Sequence, residues 1–349
     1  MRLLMCMIVL LAPIEPALAQ AYKPFKDWVG ACDNTRYCTA IGFSADVNES
    51  TAQMHFERGG APTEAITRIT LRFDQTPVAG KAQIVAGSFV LRLEAKHLHA
   101  LEDGVAPEVR IEDAAQIAGL LDAMLHASEL ELRVDHSRVA AVSLAGSSAV
   151  MLWLDEQQQR LGTDSALVRR GTGKASAIVP PAPRVVMQMS DARALDEAAM
   201  LAITLPLRAS LEADSCEETD PDIGSRDAAW RIDAEQTLIQ LMCFRGAYNF
   251  GSKWYVQRGA LAPQPLLLPL PNFDGSGRME PEEDLINAEF FPDTGELIQF
   301  SKGRGIGDCG NEASWLWDGK RFQLRSYKVM GDCRGVAADL WPVLWRSRQ

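Results

Sequence analysis

The sequence lacks the signatures that identify the common classes of enzyme. It contains no Gly-x-Ser-x-Gly and no His-Glu-x-x-His motif, which argues against a serine-hydrolase elbow and against a metalloprotease zinc helix. Gly173-Lys174 is followed by Ala175 instead of serine or threonine, so this pair does not form a phosphate-binding loop. No Cys-x-x-Cys occurs, which excludes a thioredoxin-like exchange motif. The only enzyme class left open is one whose acid and base residues are scattered along the chain.

Positive charge and long apolar runs are also scarce. Asp and Glu number 46 against 35 Lys and Arg, which gives a formal net charge of -11. Because an acidic chain repels phosphate backbones, we expect no nucleic-acid partner. Beyond the first nineteen residues, no uninterrupted apolar run approaches the roughly 18 residues of a spanning helix, so we expect no membrane span.

The first nineteen residues have the pattern of a secretory signal peptide. Arg2 provides a positive start, Leu3 to Leu11 form a short apolar core, and Ala17-Leu18-Ala19 is a small-x-small cleavage site. We therefore predict a signal peptide over residues 1–19 and a periplasmic or secreted protein after cleavage near Ala19.

Removal of Cys6 with the signal peptide leaves six cysteines, an even number that is typical of an oxidising compartment. Six cysteines allow fifteen connectivities. We favour bridges between sequence neighbours, because each bridge then joins adjacent strands or closes one loop. The favoured pairs are Cys32 with Cys38, Cys216 with Cys243, and Cys309 with Cys333.

The length of the chain and the pattern of its predicted strands and helices together predict the fold class. The chain is expected to be α+β but mainly β, with two antiparallel β-rich domains, the first of which contains two helices, and with disulfide bridges in both. The predicted boundaries are an N-terminal domain over 20–175, a proline-rich linker over 176–190 and a C-terminal domain over 191–349.

The spacing of apolar residues along the chain predicts the positions of the individual strands and helices. Alternation predicts strands over 66–73, 88–93, 130–134, 139–144, 230–232, 237–244 and 253–257, and helical spacing predicts helices over 117–125, 147–160 and 191–201. At the end of the second helix, Asp155, Glu156 and Arg160 are expected to form a solvated face.

The C-terminal segment predicts a β-hairpin. Asp318-Gly319 lies between two alternating runs and suits a two-residue type I′ turn, flanked by Trp317 and Lys320. In that register, Trp315 lies opposite Phe322. Trp315, Trp317, Phe322 and Leu324 then share a core face, and the other face is cationic.

The glycine-rich stretch from Lys302 to Gly310 is the main candidate for ligand binding. Successive N–H groups in such a loop form an anion-binding concavity, to which Lys302 and Arg304 add charge. With Arg321 and Arg325 they would form a cationic rim. The alternative is that the glycines let the chain bend beside a disulfide.

Trp341 and Trp345 are the second candidate. Together with the hairpin aromatics they would form a platform for carbohydrate or peptide, although alternating tryptophans more often belong to a core.

A third candidate is a calcium loop. Asn272, Asp274, Ser276 and Glu283 stand at positions 1, 3, 5 and 12 of an EF-hand-like run, with Gly277 at position 6. The alternative is an acidic surface turn that binds no cofactor.

Several segments resemble a known family. They are Cys243-Phe-Arg-Gly-Ala-Tyr-Asn249, Lys302-Gly-Arg-Gly-Ile-Gly-Asp-Cys-Gly310, Trp315-x-Trp317-Asp-Gly, and Cys333-Arg-Gly with Trp341-Pro. They are similar to an exported Gram-negative bacterial family described only as a domain of unknown function. The first half is more distantly similar to invasion-associated locus B proteins, which are exported envelope proteins. Neither resemblance implies catalytic residues.

The sequence therefore favours a non-enzymatic binding or inhibitor-like module of the cell envelope. Its expected partner is an envelope protein, a glycan or a small anion. An envelope hydrolase without a recognisable motif and a calcium-stabilised structural protein are the alternatives.

Overall fold

The computed structural model describes residues 21–46, 51–100, 108–176, 178–185, 192–211, 216, 223–272 and 278–348. The predicted signal peptide lies outside these ranges. Among the described residues, no helix combines the length and the apolar character that a membrane crossing requires.

The described residues of the first half are mainly β and include two α-helices, as the periodicity of the sequence predicts. In chain order the elements are β1 Ala21–Phe25, β2 Trp28–Cys32, β3 Cys38–Phe43, β4 Ala52–Arg58, β5 Ile69–Phe73, β6 Ala82–Ala86, β7 Phe89–Arg92, a 3₁₀ turn Ala95–His97, β8 Leu98–His99, β9 Glu108–Ile111, α1 Ala114–Met124, β10 Glu129–Val134, β11 Ser137–Ser143 and α2 Ser147–Gln157.

These strands form two antiparallel sheets around one core. The first sheet has the order β1-β2-β3-β4-β5-β9-β8 and the second has the order β11-β10-β6-β7. Trp28 lies fully buried between them, and its indole N–H donates to the Ser143 carbonyl at 2.8 Å. Its ring packs directly on Gly42, where an added Cβ would come within 2.4 Å of the ring. This close approach requires glycine at position 42.

In the second half, the described residues form three further antiparallel sheets and one α-helix. The elements of this half are β12 Arg193–Ala194, α3 Glu197–Ala209, a 3₁₀ turn Ile223–Arg226, β13 Ala228–Arg231, β14 Gln236–Arg245, β15 Phe250–Arg258, β16 Gln264–Pro265, β17 Leu268–Pro271, β18 Met279–Glu282, β19 Asp284–Ile286, β20 Glu289–Phe291, β21 Glu296–Lys302, β22 Gly310–Trp317, β23 Phe322–Met330, a 3₁₀ turn Ala338–Leu340 and β24 Val343–Arg346. The third sheet has the order β12-β13-β14-β15-β16 with β19 beside β15, the fourth pairs β17 with β18, and the fifth runs β20-β21-β22-β23-β24.

Each predicted strand overlaps an observed one, and the fold class is confirmed. The third helix begins at Glu197, six residues after the predicted start, because the Asp196 side chain caps it by accepting the Ala199 N–H at 2.9 Å. The three disulfides join Cys32 with Cys38, Cys216 with Cys243, and Cys309 with Cys333.

The C-terminal hairpin is confirmed, but its predicted register is wrong. Trp317 pairs with Phe322 and Trp315 with Leu324, so the connection contains four residues. The carboxylate of Asp318 accepts the N–H groups of Lys320 and Arg321, each at 2.9 Å, and this side-chain cap stabilises the longer loop. The predicted core face is confirmed, because its four residues are all buried: Trp315, Trp317, Phe322 and Leu324.

The two halves of the chain share a hydrophobic cluster. Val29 and Ile41 from the first sheet pack with Met330, Val336 and Trp341. Polar contacts add to it, because Asn34 exchanges two hydrogen bonds with the backbone of Arg346, at 2.8 and 3.0 Å.

Part of the predicted linker is paired with the end of the chain. Val185 donates its N–H to the Arg348 carbonyl at 2.9 Å, and Arg348 donates back to Pro183 at 2.9 Å. The division into two domains stays a prediction.

The predicted solvated face at the end of α2 is wrong for two of its three residues. Asp155 is fully buried and Arg160 is 1% exposed, whereas Glu156 is exposed. Asp155 accepts from Arg58 at 2.7 Å and from the Leu167 and Val168 N–H groups.

Arg160 lies beside this pair and is bonded to backbone alone. Its guanidinium donates to the carbonyls of Gly59, Ala61 and Glu64. Burial lowers its pKa to about 10, with a contribution from the charge of Arg58. Asp155 and Arg160 therefore hold two loops, residues 167–168 and 59–64, against the end of α2.

Removal of the Asp155 charge should destabilise the protein strongly, because it leaves Arg58 charged and buried. We expect Asp155→Asn to lower the free energy of unfolding by about 3–5 kcal/mol, measured by urea denaturation. The adjacent Glu156→Gln removes the same charge from an exposed position and should change it by less than about 0.5 kcal/mol. Equal effects of the two substitutions would contradict a buried network.

Candidate functional site

The glycine loop, residues 302–310, joins β21 to β22 at one end of the fifth sheet, where Lys302 pairs with Gly310. Its glycines are needed by the backbone. A Cβ at Gly310 would lie 1.9 Å from the Ser301 carbonyl oxygen, and one at Gly303 would lie 2.7 Å from the Cys309 Sγ. Gly307 has a φ of 68°, in the left-handed region. The glycines therefore let the chain bend beside a disulfide.

Asp308 clamps this loop from inside. Its carboxylate, 5% exposed, accepts from Arg304 Nε at 2.6 Å and Nη2 at 2.5 Å and from the Gly335 N–H at 2.7 Å. The hydrogen bonds from Arg304 hold the pKa of Asp308 below its usual value. The bridge between Cys309 and Cys333 closes the same corner. The guanidinium of Arg304 is thus occupied within the protein.

Two asparagines fix the base of the loop. Asn249 donates to the Lys302 carbonyl at 2.9 Å and accepts the Lys302 N–H at 3.2 Å. Asn287 donates to the Asn249 side chain and to the Phe300 carbonyl, both at 2.9 Å. The Asn287 backbone has a φ of 47°, which asparagine tolerates better than most residues. Sequence reasoning missed Asn287, because no local motif connects it with a loop that begins fifteen residues further on.

The tip of this braced loop is apolar. Ile306 is 76% exposed, the second-highest value among the large hydrophobic residues that the structure describes. Tyr248 is 38% exposed beside it, and its hydroxyl donates to the Gly303 carbonyl at 3.4 Å. The ammonium group of Lys302 lies 5.9 Å from the centre of the Phe300 ring. The loop therefore presents one aliphatic side chain on a rigid frame.

The predicted cationic rim is split between the two ends of the fifth sheet. The eight residues of β22 separate the glycine loop from Arg321 by roughly 25 Å at the usual rise of a strand. Arg325 lies on β23 and bonds to Glu296 at 2.6 Å. Lys302 and Arg304 therefore do not share a patch with the two hairpin arginines.

The predicted aromatic platform is core. Trp341 is 2% exposed, stacks on Phe300 with ring centres 5.3 Å apart, and donates to the Val336 carbonyl at 3.0 Å. Trp345 is 9% exposed and donates to the Leu324 carbonyl at 3.3 Å. Trp345 also forms part of the wall of a cleft at the far end of the sheet, together with Arg321.

The candidate calcium loop lies at the turn of the β17–β18 hairpin. Asp274 and Ser276 fall outside the described residues. Asn272 donates its N–H to the Arg278 carbonyl at the loop end, whereas Glu283 follows β18 at the opposite end, five residues or roughly 16 Å from Arg278. The structure does not bring Asn272 and Glu283 together, and calcium binding stays a prediction.

Among the described residues, one group brings three potential metal-ligating atoms within 4.8 Å of one another. It consists of Asp308, Cys309 and Cys333. The two sulfur atoms are bonded to each other, so neither is a thiolate ligand. This corner is a structural bridge.

A polar cleft of about 590 Å³ lies between the outer face of the first sheet and residues 339–343. Glu108 accepts from Arg72 at 3.2 Å and from Arg110, and Tyr37 donates to Glu57 at 2.7 Å. Burial, together with the charge of Arg72, lowers the pKa of His55 to about 3. Its Nε2 has no hydrogen-bond partner among the described residues.

Because of the hydrogen bonds to Asp308, the free energy of unfolding should depend on pH in acidic solution. Because the pKa of Asp308 is lowered on folding, its contribution is complete above the ordinary aspartate pKa of about 3.9 and is lost as the pH falls through the lower folded value. We expect Asp308→Asn to lower the free energy of unfolding by about 1.5–3 kcal/mol at pH 7, and this difference should shrink below pH 4. Denaturation at several pH values measures it.

The control for this titration is Asp332→Asn, which alters an exposed aspartate in the neighbouring loop. A destabilisation by Asp308→Asn that stays constant from pH 7 to pH 2 would contradict the clamp.

Comparison with known proteins extends over nearly the whole chain. Residues 22–348 match the family described as "protein of unknown function (DUF1176)". An uncharacterized protein of Escherichia coli (strain K12), YpfG, is 30% identical over 354 residues, which cover 95% of this chain and 94% of that protein. No solved structure matches. The chain therefore belongs to the DUF1176 family.

Proposed function

We propose that this protein is exported to the periplasm and acts there as a non-catalytic binding module that docks on a partner protein through the tip of the glycine loop. The observation that carries the proposal is Ile306, which is 76% exposed on a loop held by a clamped carboxylate, a disulfide and two asparagines. These contacts hold the exposed side chain in one place relative to the fifth sheet.

Rigidity is what makes this loop suitable for binding. A flexible loop loses conformational entropy when it docks, at about 0.5–1.5 kcal/mol for each immobilised side chain. Here the internal bonds have already ordered the backbone around Gly303 and Gly307. The loop therefore meets a partner in its bound shape, as inhibitor loops do.

The chemistry of the tip indicates the kind of partner. Ile306 suits an apolar pocket, and Tyr248 beside it adds an aromatic surface with a polar end. Arg226 and Arg245 lie 5.1 and 5.9 Å from the ring of Phe250, next to Asn249 at the base of the loop. We infer that the partner is an envelope protein that offers an apolar pocket with an acidic rim.

Three disulfides support the proposed location. Such bonds persist in the periplasm and are rare in the cytosol. The predicted cleavage site near Ala19 adds a sequence argument for the same compartment.

The polar cleft is the observation that favours the alternative, an envelope hydrolase. It brings Glu57, Glu108 and His55 to one cavity. However, a histidine with a pKa near 3 is a weak base at neutral pH, and Glu108 is held by two arginines. Binding is therefore the better-supported function.

Site-specific photocrosslinking in the periplasm tests the docking proposal. A benzophenone amino acid at position 306 should form one discrete adduct with a partner protein, because the tip is expected to enter a pocket. Ile178 provides a matched control, since it is also isoleucine and is 86% exposed. The same reagent at position 178 should give no such adduct.

The partner identified in this way allows affinities to be measured. We expect Ile306→Ser to weaken binding about 30-fold, as for an anchor worth about 2 kcal/mol, and Ile178→Ser to have no effect. An identical adduct pattern at both positions, or an unchanged affinity of Ile306→Ser, would contradict docking through the tip.

A further inference from the structure

A second cavity lies at the other end of the fifth sheet. This proline-walled cleft encloses about 640 Å³ between the C-terminal hairpin, the β17–β18 hairpin and the chain around Pro183. Its volume is in the range of small-molecule sites, which span about 300–1,000 Å³. It lies far from the glycine loop, so it is independent of the proposed docking site.

The floor of the cleft is apolar and firmly packed. Trp317, Phe322 and Trp345 line it and are 3%, 4% and 9% exposed. The rings of Trp317 and Phe322 lie 5.2 Å apart. Leu267 and Met279 at the wall are 51% and 38% exposed, which leaves apolar surface accessible from the cavity. Such a surface favours a ligand with an apolar body.

Two facing prolines lie in the wall of the cleft. Pro269 and Pro281 lie opposite each other in the fourth sheet, and within the described part of the chain β18 pairs with β17 alone. Because proline lacks an N–H, Pro281 gives this free edge no donor for an added strand. Pro281 therefore weakens strand pairing along this edge and favours a ligand that is held by side chains.

The mouth of the cleft is cationic. Arg258, Lys320 and Arg321 are all exposed there, and Glu280 is the one carboxylate among the described lining residues. An apolar floor below three cations suits a molecule with an acidic head and an apolar body.

We infer that the proline-walled cleft binds a small amphipathic anion, with the apolar body against Trp317 and Trp345 and the acidic head between Lys320 and Arg321. The free molecule is the ligand, rather than the surface of a membrane, because Trp317 and Trp345 line the cleft and are only 3% and 9% exposed.

Tryptophan fluorescence and calorimetry with sodium dodecanoate, below its micelle concentration, test this inference. Dodecanoate should bind saturably at one site per chain, and dodecanol, which has the same tail without the charge, should bind at least tenfold more weakly. The double variant Lys320→Gln and Arg321→Gln should lose at least tenfold in affinity for dodecanoate and should bind dodecanol as before. Leu267→Glu should weaken both, because it places a charge on the apolar wall.

The matched control is Arg325→Gln, which removes a cation of the same hairpin that is bonded to Glu296 and lies outside the cleft. It should leave both affinities unchanged. Equal binding of dodecanoate and dodecanol, the same loss in the Arg325 control, absence of saturable binding, or binding only to phosphatidylglycerol vesicles in a flotation assay would each overturn the inference. Leu267, Lys320 and Arg321 are exposed and Arg325 is half-buried, and circular dichroism verifies that the variants fold.

Discussion

The carboxylate of Asp308 is the contact on which the glycine loop depends. It is buried, accepts two hydrogen bonds from Arg304 within the loop, and accepts a third from the Gly335 N–H, which connects the loop to the neighbouring chain. Cys309, the next residue, is bonded to Cys333, so ionic and covalent constraints meet at one corner. This corner also touches the hydrophobic cluster shared by the two halves, because Cys309 packs with Met330 and Val336. The loop is therefore continuous with the protein core, and its exposed tip has little freedom to move.

The fifth sheet separates two surfaces that differ in shape and in charge. At one end, a convex and rigid loop presents Ile306, which suits the pocket of another protein. At the other end, a concave cleft with an apolar floor and a cationic mouth suits a small molecule. The strand β22 runs from one to the other, and its residues Trp315 and Trp317 belong to the core. The two surfaces are therefore separated by the packed core of the fifth sheet.

The sequence predicted the elements well because hydrophobic periodicity is local. It predicted the C-terminal hairpin and its core face, but it missed the register, since the Asp318 side chain stabilises a four-residue loop that the Asp-Gly pattern does not reveal. It placed Asp155 and Arg160 in solvent, because their partners are Arg58 and carbonyl groups about a hundred residues away. The glycine loop was found from its composition, yet the pairing of Arg304 with Asp308 reversed the expected role of that arginine from binding to bracing.

Docking through the glycine loop requires that its tip, Ile306, is ordered before any partner binds. Nitrogen-15 relaxation of the isolated mature protein measures this directly at the backbone amide of Ile306. We expect an order parameter of about 0.85, equal to that of a rigid backbone such as β22. A value below about 0.6 at Ile306 would contradict it, because a mobile tip has no preformed shape to offer.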